Sequence, residues 1–137
     1  MNSNKNISNF GGAVKLDYSG IGLDSSDAKV LAELLKANVK VQWLHVNSNA
    51  LGQAGGEAFG EALQTNSTLD SIVIGSKDKP ATIPLKELRE NSIDALDYQG
   101  KELLAEGGIV LASTLKGNSS VTIHSNITPP RGVTFLL

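Results

Sequence analysis

Apolar residues recur along this chain in sets whose members stand at offsets 0, 3, 5 and 10. Ala13, Leu16, Tyr18 and Leu23 form one set, Val41, Leu44, Val46 and Leu51 another, and Ile93, Leu96, Tyr98 and Leu103 a third. Between the last two, Leu69, Ile72 and Ile74 begin a further set that meets Lys79 where its last apolar member is due. The openings Ala13, Val41 and Leu69 are 28 residues apart, Ile93 follows Leu69 by 24, and Val121 would open another unit 28 residues after Ile93. A fixed period of this length marks a repeat array, which constrains the fold before any local assignment is made.

Within each unit the spacing changes. The early positions, two and three apart, predict a short strand with alternate side chains turned to the core. Downstream, Ala28, Leu31, Ala32 and Leu35 correspond to Gly56, Phe59, Gly60 and Leu63, and to Gly108, Leu111, Ala112 and Leu115. That spacing of i, i+3, i+4, i+7 is one stripe of a helix, and its Ala and Gly members let the backbone lie close to a neighbour. Asn38, Asn66 and Asn118, the last beside Gly117, follow the helices, where a left-handed cap residue is expected. Each unit reads as strand, turn, helix and return loop, and the copies must stack because none buries its apolar side alone.

The expected fold class is therefore α/β, a solenoid forming a horseshoe segment, with parallel strands on the concave side and helices on the convex side. Leu16, Leu44, Ile72 and Leu96 would make one inward row, and Tyr18, Val46, Ile74 and Tyr98 the next. Residues 75–92 break the pattern, with Pro80 and Pro84 interrupting any helix begun near Lys77. Pro84 suits the first position of a short helix running through Leu85 and Leu88.

The segments VQWLHVNSNALGQAGGEAFGEAL and IDALDYQGKELLAEGGIVLASTL, residues 41–63 and 93–115, resemble leucine-rich repeats of the long, ribonuclease-inhibitor-like class. That family carries an Asn in the turn two residues before the last strand-side Leu. Here Asn49 keeps it, and Ile21, Lys77 and Lys101 stand in the equivalent places. The resemblance implies a single domain over 1–137, with 1–12 an extension or cap, 13–120 four repeats of which the third is shortened, and 121–137 a degenerate terminal repeat and tail. Ile7 and Phe10 are the capping candidates, and the closing VTFLL is expected to fold back over the last repeat or to insert into a partner. Protein recognition is the role the resemblance implies.

Composition narrows the function further. With 40% hydrophobic and 19% charged residues the chain suits a folded protein, and a net charge of -2 gives no general pull toward nucleic acid. The absence of Cys excludes disulfides, thiol catalysis and thiolate metal sites. No apolar run is long enough to span a bilayer, and the first residues contain no apolar signal core, so a cytoplasmic or other intracellular soluble compartment is expected. Sequons at Asn6, Asn66, Asn118 and Asn126 read as turn asparagines.

Candidate chemistry is sparse. GQAGGEAFG, residues 52–60, lacks the Gly-Lys-Ser/Thr ending of a phosphate loop and fits a packing stripe instead. His45 and His124 fall in different units, and no pair of carboxylates is set apart by environment. The chain is thus expected not to be an enzyme, with no cofactor and no metal site. Strand alternation instead places Trp43, His45 and Asn47 on the concave face, with Lys15 and Asp17 to one side and Val73 and Asp97 to the other. These seven residues are the predicted partner-binding set. The predicted function is a non-catalytic protein–protein interaction module, scaffold or accessory subunit engaging a protein partner there. The alternatives are a regulator of a small GTPase and a purely structural subunit of a larger assembly. The terminal faces are further places for self-association or docking in a complex.

Overall fold

The computed structural model describes residues 14–116, 118 and 121–124. Its elements in chain order are β1 (Lys15–Asp17), α1 (Ser25–Ala37), β2 (Trp43–His45), α2 (Gly52–Thr65), β3 (Ser71–Ile74), β4 (Ala81–Ile83), α3 (Leu85–Arg89), β5 (Ala95–Asp97), α4 (Leu104–Thr114) and β6 (Thr122–His124). The expectations attached to Ile7, Phe10, Asn6, Asn126 and the VTFLL tail lie outside the described residues.

The first three strands run parallel, and the period of 28 sets Leu16 beside Leu44 and Leu44 beside Ile72. The fourth does not follow. β4 pairs antiparallel with β3, Ile72 facing Ile83 and Ile74 facing Ala81. The result is a mixed four-stranded sheet, β1-β2-β3-β4, with β5 and β6 forming a separate two-stranded sheet. This corrects the expected solenoid of uniformly parallel strands: the described residues form a small α/β fold with four helices and a mixed sheet. Leu96 and Tyr98 accordingly do not continue the rows of Leu44 and Val46, since Leu96 pairs with Ile123 in the second sheet.

The cause lies in residues 79–84. Lys79 and Ile83 each precede a proline, which disfavours helical backbone and favours extended. Ala81 and Ile83 then bury alternate side chains around exposed Thr82, which is the period of a strand. Pro84 caps the five-residue α3, whose Leu85 and Leu88 are buried. Because α3 is so short, α4 packs directly on α2. The contact depends on small residues: a Cβ on Gly56 would come within 2.7 Å of the Glu106 Cα, and one on Gly60 would strike the Ser113 hydroxyl. The last strand also departs from the expected register, because Leu96 pairs with Ile123, one residue short of the period that Val121 was to open.

The loop asparagines work differently from expectation. Asn38 and Asn66 are extended, at φ -87, ψ 133 and φ -77, ψ 124, not left-handed. Their side chains explain the preference. Asn38 Oδ1 accepts from the amides of Lys40 (2.8 Å) and Val41 (2.7 Å), and Asn66 Oδ1 from those of Thr68 (3.0 Å) and Leu69 (2.9 Å). Asn66 Nδ2 donates back to the carbonyls of Leu35 (2.8 Å) and Asn38 (3.0 Å), so one loop holds the preceding one. With Asn66 only 4% exposed, its sequon is a packing feature.

Asn49 does the same at the strand-side turns. It accepts from Ile21 (3.2 Å) and Leu23 (3.0 Å) and donates to the carbonyls of Tyr18 (2.9 Å) and Val46 (3.0 Å). One amide thereby satisfies backbone groups that a unit with Ile21 in the turn leaves open. The inward strand residues and the helix stripes make one continuous apolar core.

Candidate functional site

Strand alternation with Leu16, Leu44 and Ile72 inward leaves the residues on either side of each to form the opposite face. One lateral row on this face is Lys15, Trp43 and Ser71; the next is Asp17, His45 and Val73. Thr82 of β4, opposite Val73, extends the second row. Trp43 sits in the middle of its row and is 41% exposed. Lys15 and Asp17 are exposed, while His45, Ser71 and Val73 are half-buried.

Five of the predicted site residues, Lys15, Asp17, Trp43, His45 and Val73, are thus neighbours on one rigid sheet. Asp97 is not among them, because it lies on the second sheet beside His124. Asn47 follows β2 and is half-buried. Its carbonyl accepts from the Gly20 amide (3.1 Å) and from Asn49 Nδ2 (3.2 Å), and its Oδ1 is buried with no hydrogen-bond partner among the described residues. It serves the turn more than the face.

Strand alternation places Ser19 beside Lys15 and Asp17, whereas Thr82 and the pairing of His124 with Asp97 were not predicted. Ser19 donates to Asp17 Oδ1 from both its hydroxyl (2.6 Å) and its amide (3.0 Å). The hydroxyl bond, then the amide bond, hold the Asp17 carboxyl below the usual range, with smaller help from His45 and Lys15. The signal was available as an Asp followed two residues on by a small polar residue, the spacing of an Asx turn. Asp97 shows the same turn, its Oδ1 accepting from the Gln99 amide at 2.9 Å. Thr82 and His124 reach the surface only through pairings that the period did not reveal.

Replacing Ser19 with Ala is expected to raise the Asp17 pKa. A depressed folded pKa contributes stability above the unfolded value that is lost as the pH falls through the folded one. The variant should therefore lose less stability on acidification, and that smaller loss should be complete at a higher pH. A carboxyl titration followed by NMR reads the shift directly, and an unchanged Asp17 midpoint would show that the hydroxyl bond contributes nothing in solution.

Among the described residues no three His, Cys, Asp or Glu side chains gather where they could hold a metal ion. The Tyr98 hydroxyl is buried, which pushes its ionisation far up, and it donates to the Thr82 carbonyl (2.9 Å) as a link between the two sheets. On the helix side, a cleft of about 320 Å³ is lined by residues of α3 and of the C-terminal ends of α2 and α4, with Leu63, Leu88, Arg89 and Lys116 among them.

No protein-family model matches this chain, and no curated protein matches it. A solved structure of the leiomodin-1 actin-binding site 2 is similar in fold. It aligns with 85% of this chain at a TM-score of 0.51 and 19% sequence identity. The match takes in 56% of that chain, so this protein spans little more than half its length. At that identity the likeness is one of architecture. No helix among the described residues is long and apolar enough to cross a membrane.

Proposed function

We propose that this chain is a non-catalytic protein-interaction module whose binding surface is the exposed strand face around Trp43. The observation that carries the proposal is Trp43 itself: a large aromatic, held on a β-strand, left 41% exposed between Lys15, Ser71 and His45. Rigid aromatics on a surface lose little conformational freedom on binding and are frequent anchors of protein interfaces. The flanking cation, carboxylate and imidazole supply the polar rim such an anchor needs. The leiomodin-1 likeness makes actin, or a protein presenting a similar surface, the first partner to test.

Trp43 is the only Trp in the chain, so its fluorescence reports on this face alone. Adding partner to the intact chain should shift the emission to the blue as the ring is desolvated. Trp43→Ala should weaken the complex by about 2 kcal/mol or more, a loss of roughly thirtyfold in affinity. Full-strength binding by the Ala variant in a calorimetric titration, with folding verified by circular dichroism, would remove this face from the interface.

A further inference from the structure

β1 is the outer strand of its sheet, and its outer edge is unpaired among the described residues. The Val14 carbonyl accepts from the amides of Gln42 (2.7 Å) and Trp43 (3.2 Å), and the Tyr18 amide donates to His45 (2.8 Å). Backbone groups alternate in direction along a strand, so those of Lys15 and Asp17 point away from β2 into the open edge. Unpaired edges template further strands unless something covers them.

Two other features mark the same side of the molecule. On α1, the flank toward α2 carries Lys29, Ala32, Glu33 and Lys36. The opposite flank presents Val30, 45% exposed, and Leu34, 41% exposed, one helical turn apart, and Val14 beside β1 is 48% exposed. Tyr18 is the second feature. Its side chain is buried, yet its hydroxyl has no hydrogen-bond partner among the described residues. Tyr98, at the same place after β5, donates to a carbonyl of β4, the strand that precedes β5 in the chain. Among the described residues Tyr18 has no counterpart of β4 beside it.

We propose that two copies of this chain join edge to edge through β1, the strands running antiparallel about a two-fold axis at Leu16. The strand is Lys-Leu-Asp, which is complementary to itself in that arrangement. Lys15 stands opposite the partner's Asp17 and Asp17 opposite the partner's Lys15, so both cross-strand pairs join opposite charges. The same two residues own the outward backbone groups, so each opposed pair exchanges two backbone hydrogen bonds. The helix layers then meet through Val30 and Leu34, and the Tyr18 hydroxyl gains a neighbouring strand to donate to. A two-fold contact of this kind closes on itself and leaves no further edge on that side. It shares Lys15 and Asp17 with the Trp43 face but rests on the strand edge, and self-association of the chain alone decides it separately from partner binding.

Sedimentation equilibrium of the intact chain is expected to show a concentration-dependent dimer. Lys15→Asp and Asp17→Lys each place like charges opposite one another twice, and each should raise the dimer dissociation constant about tenfold or more. The double variant K15D/D17K reverses both pairs and should recover dimerisation. Both positions are exposed, and circular dichroism checks that each variant folds. A monomer throughout, single variants that dimerise as well as the parent, or a double variant as weak as the singles would overturn the proposal. So would a monomer whose Lys15 and Asp17 amides resist hydrogen exchange, because another part of the chain would then hold the edge.

Discussion

Gly75→Ala is expected to destabilise the protein by roughly 3 to 5 kcal/mol, combining backbone strain with steric overlap. Gly75 follows β3 at φ 109, a conformation in which an L side chain is strained. A Cβ there would also collide with the carbonyl oxygen of Glu102. That carbonyl accepts from the Ser76 amide (2.9 Å), and the Glu102 amide donates to the Lys79 carbonyl (2.7 Å). These bonds are where the turn after β3 holds the start of α4 across the gap between the two sheets. The methyl group would push on the joint itself. Gly22→Ala is the matched control, since Gly22 has φ 80 but nothing near its missing side chain. It should cost only the strain, about 1 kcal/mol. Urea unfolding of the two variants separates the terms, and equal losses would mean that Gly75 and Glu102 do not approach as closely as described.

The second large effect is expected at Leu44. It is fully buried between Leu16 and Ile72, with a strand on either side, so Leu44→Ala should cost about 3 to 5 kcal/mol. Leu96 occupies the same place in its unit but among the described residues is paired on one side only, with Ile123, and is slightly exposed. Leu96→Ala should therefore lie at the lower end, about 2 to 3 kcal/mol, because an edge site relaxes more easily around the missing atoms. Comparable losses at the two positions would indicate that Leu96 is packed from both sides in solution.

The strand face was largely legible beforehand. Trp43, His45, Lys15, Asp17 and Val73 come together because a repeat of 28 residues sets equal positions side by side, and alternation then chooses the face. Asp97 was drawn into the same face by extending the rule across residues 75–92, where it no longer applied. Asn47 was assigned by alternation beyond His45, the end of the regular strand, where the turn and the Asn49 network take over. Asn38 and Asn66 were rightly placed at the helix ends but for the wrong conformation. Their side-chain oxygens accept the amides two and three residues ahead, which requires extended backbone.

Taken by itself, the order of residues determined the inward strand rows and helix stripes of the regular units and the short helix through Leu85 and Leu88. Those properties follow from periods of two and 3.6, which are local and repeat with each unit. Strand direction is not local. A short apolar segment such as Ala-Thr-Ile between two prolines pairs equally well in either sense until a neighbour is chosen. The six residues 75–80 that join β3 to β4 hold no helix and are too few to carry the chain back across the sheet for a parallel return, so β4 folds directly onto β3. Only the assembled structure therefore decided the antiparallel strand, the division into two sheets and the direct seat of α4 on the glycines of α2.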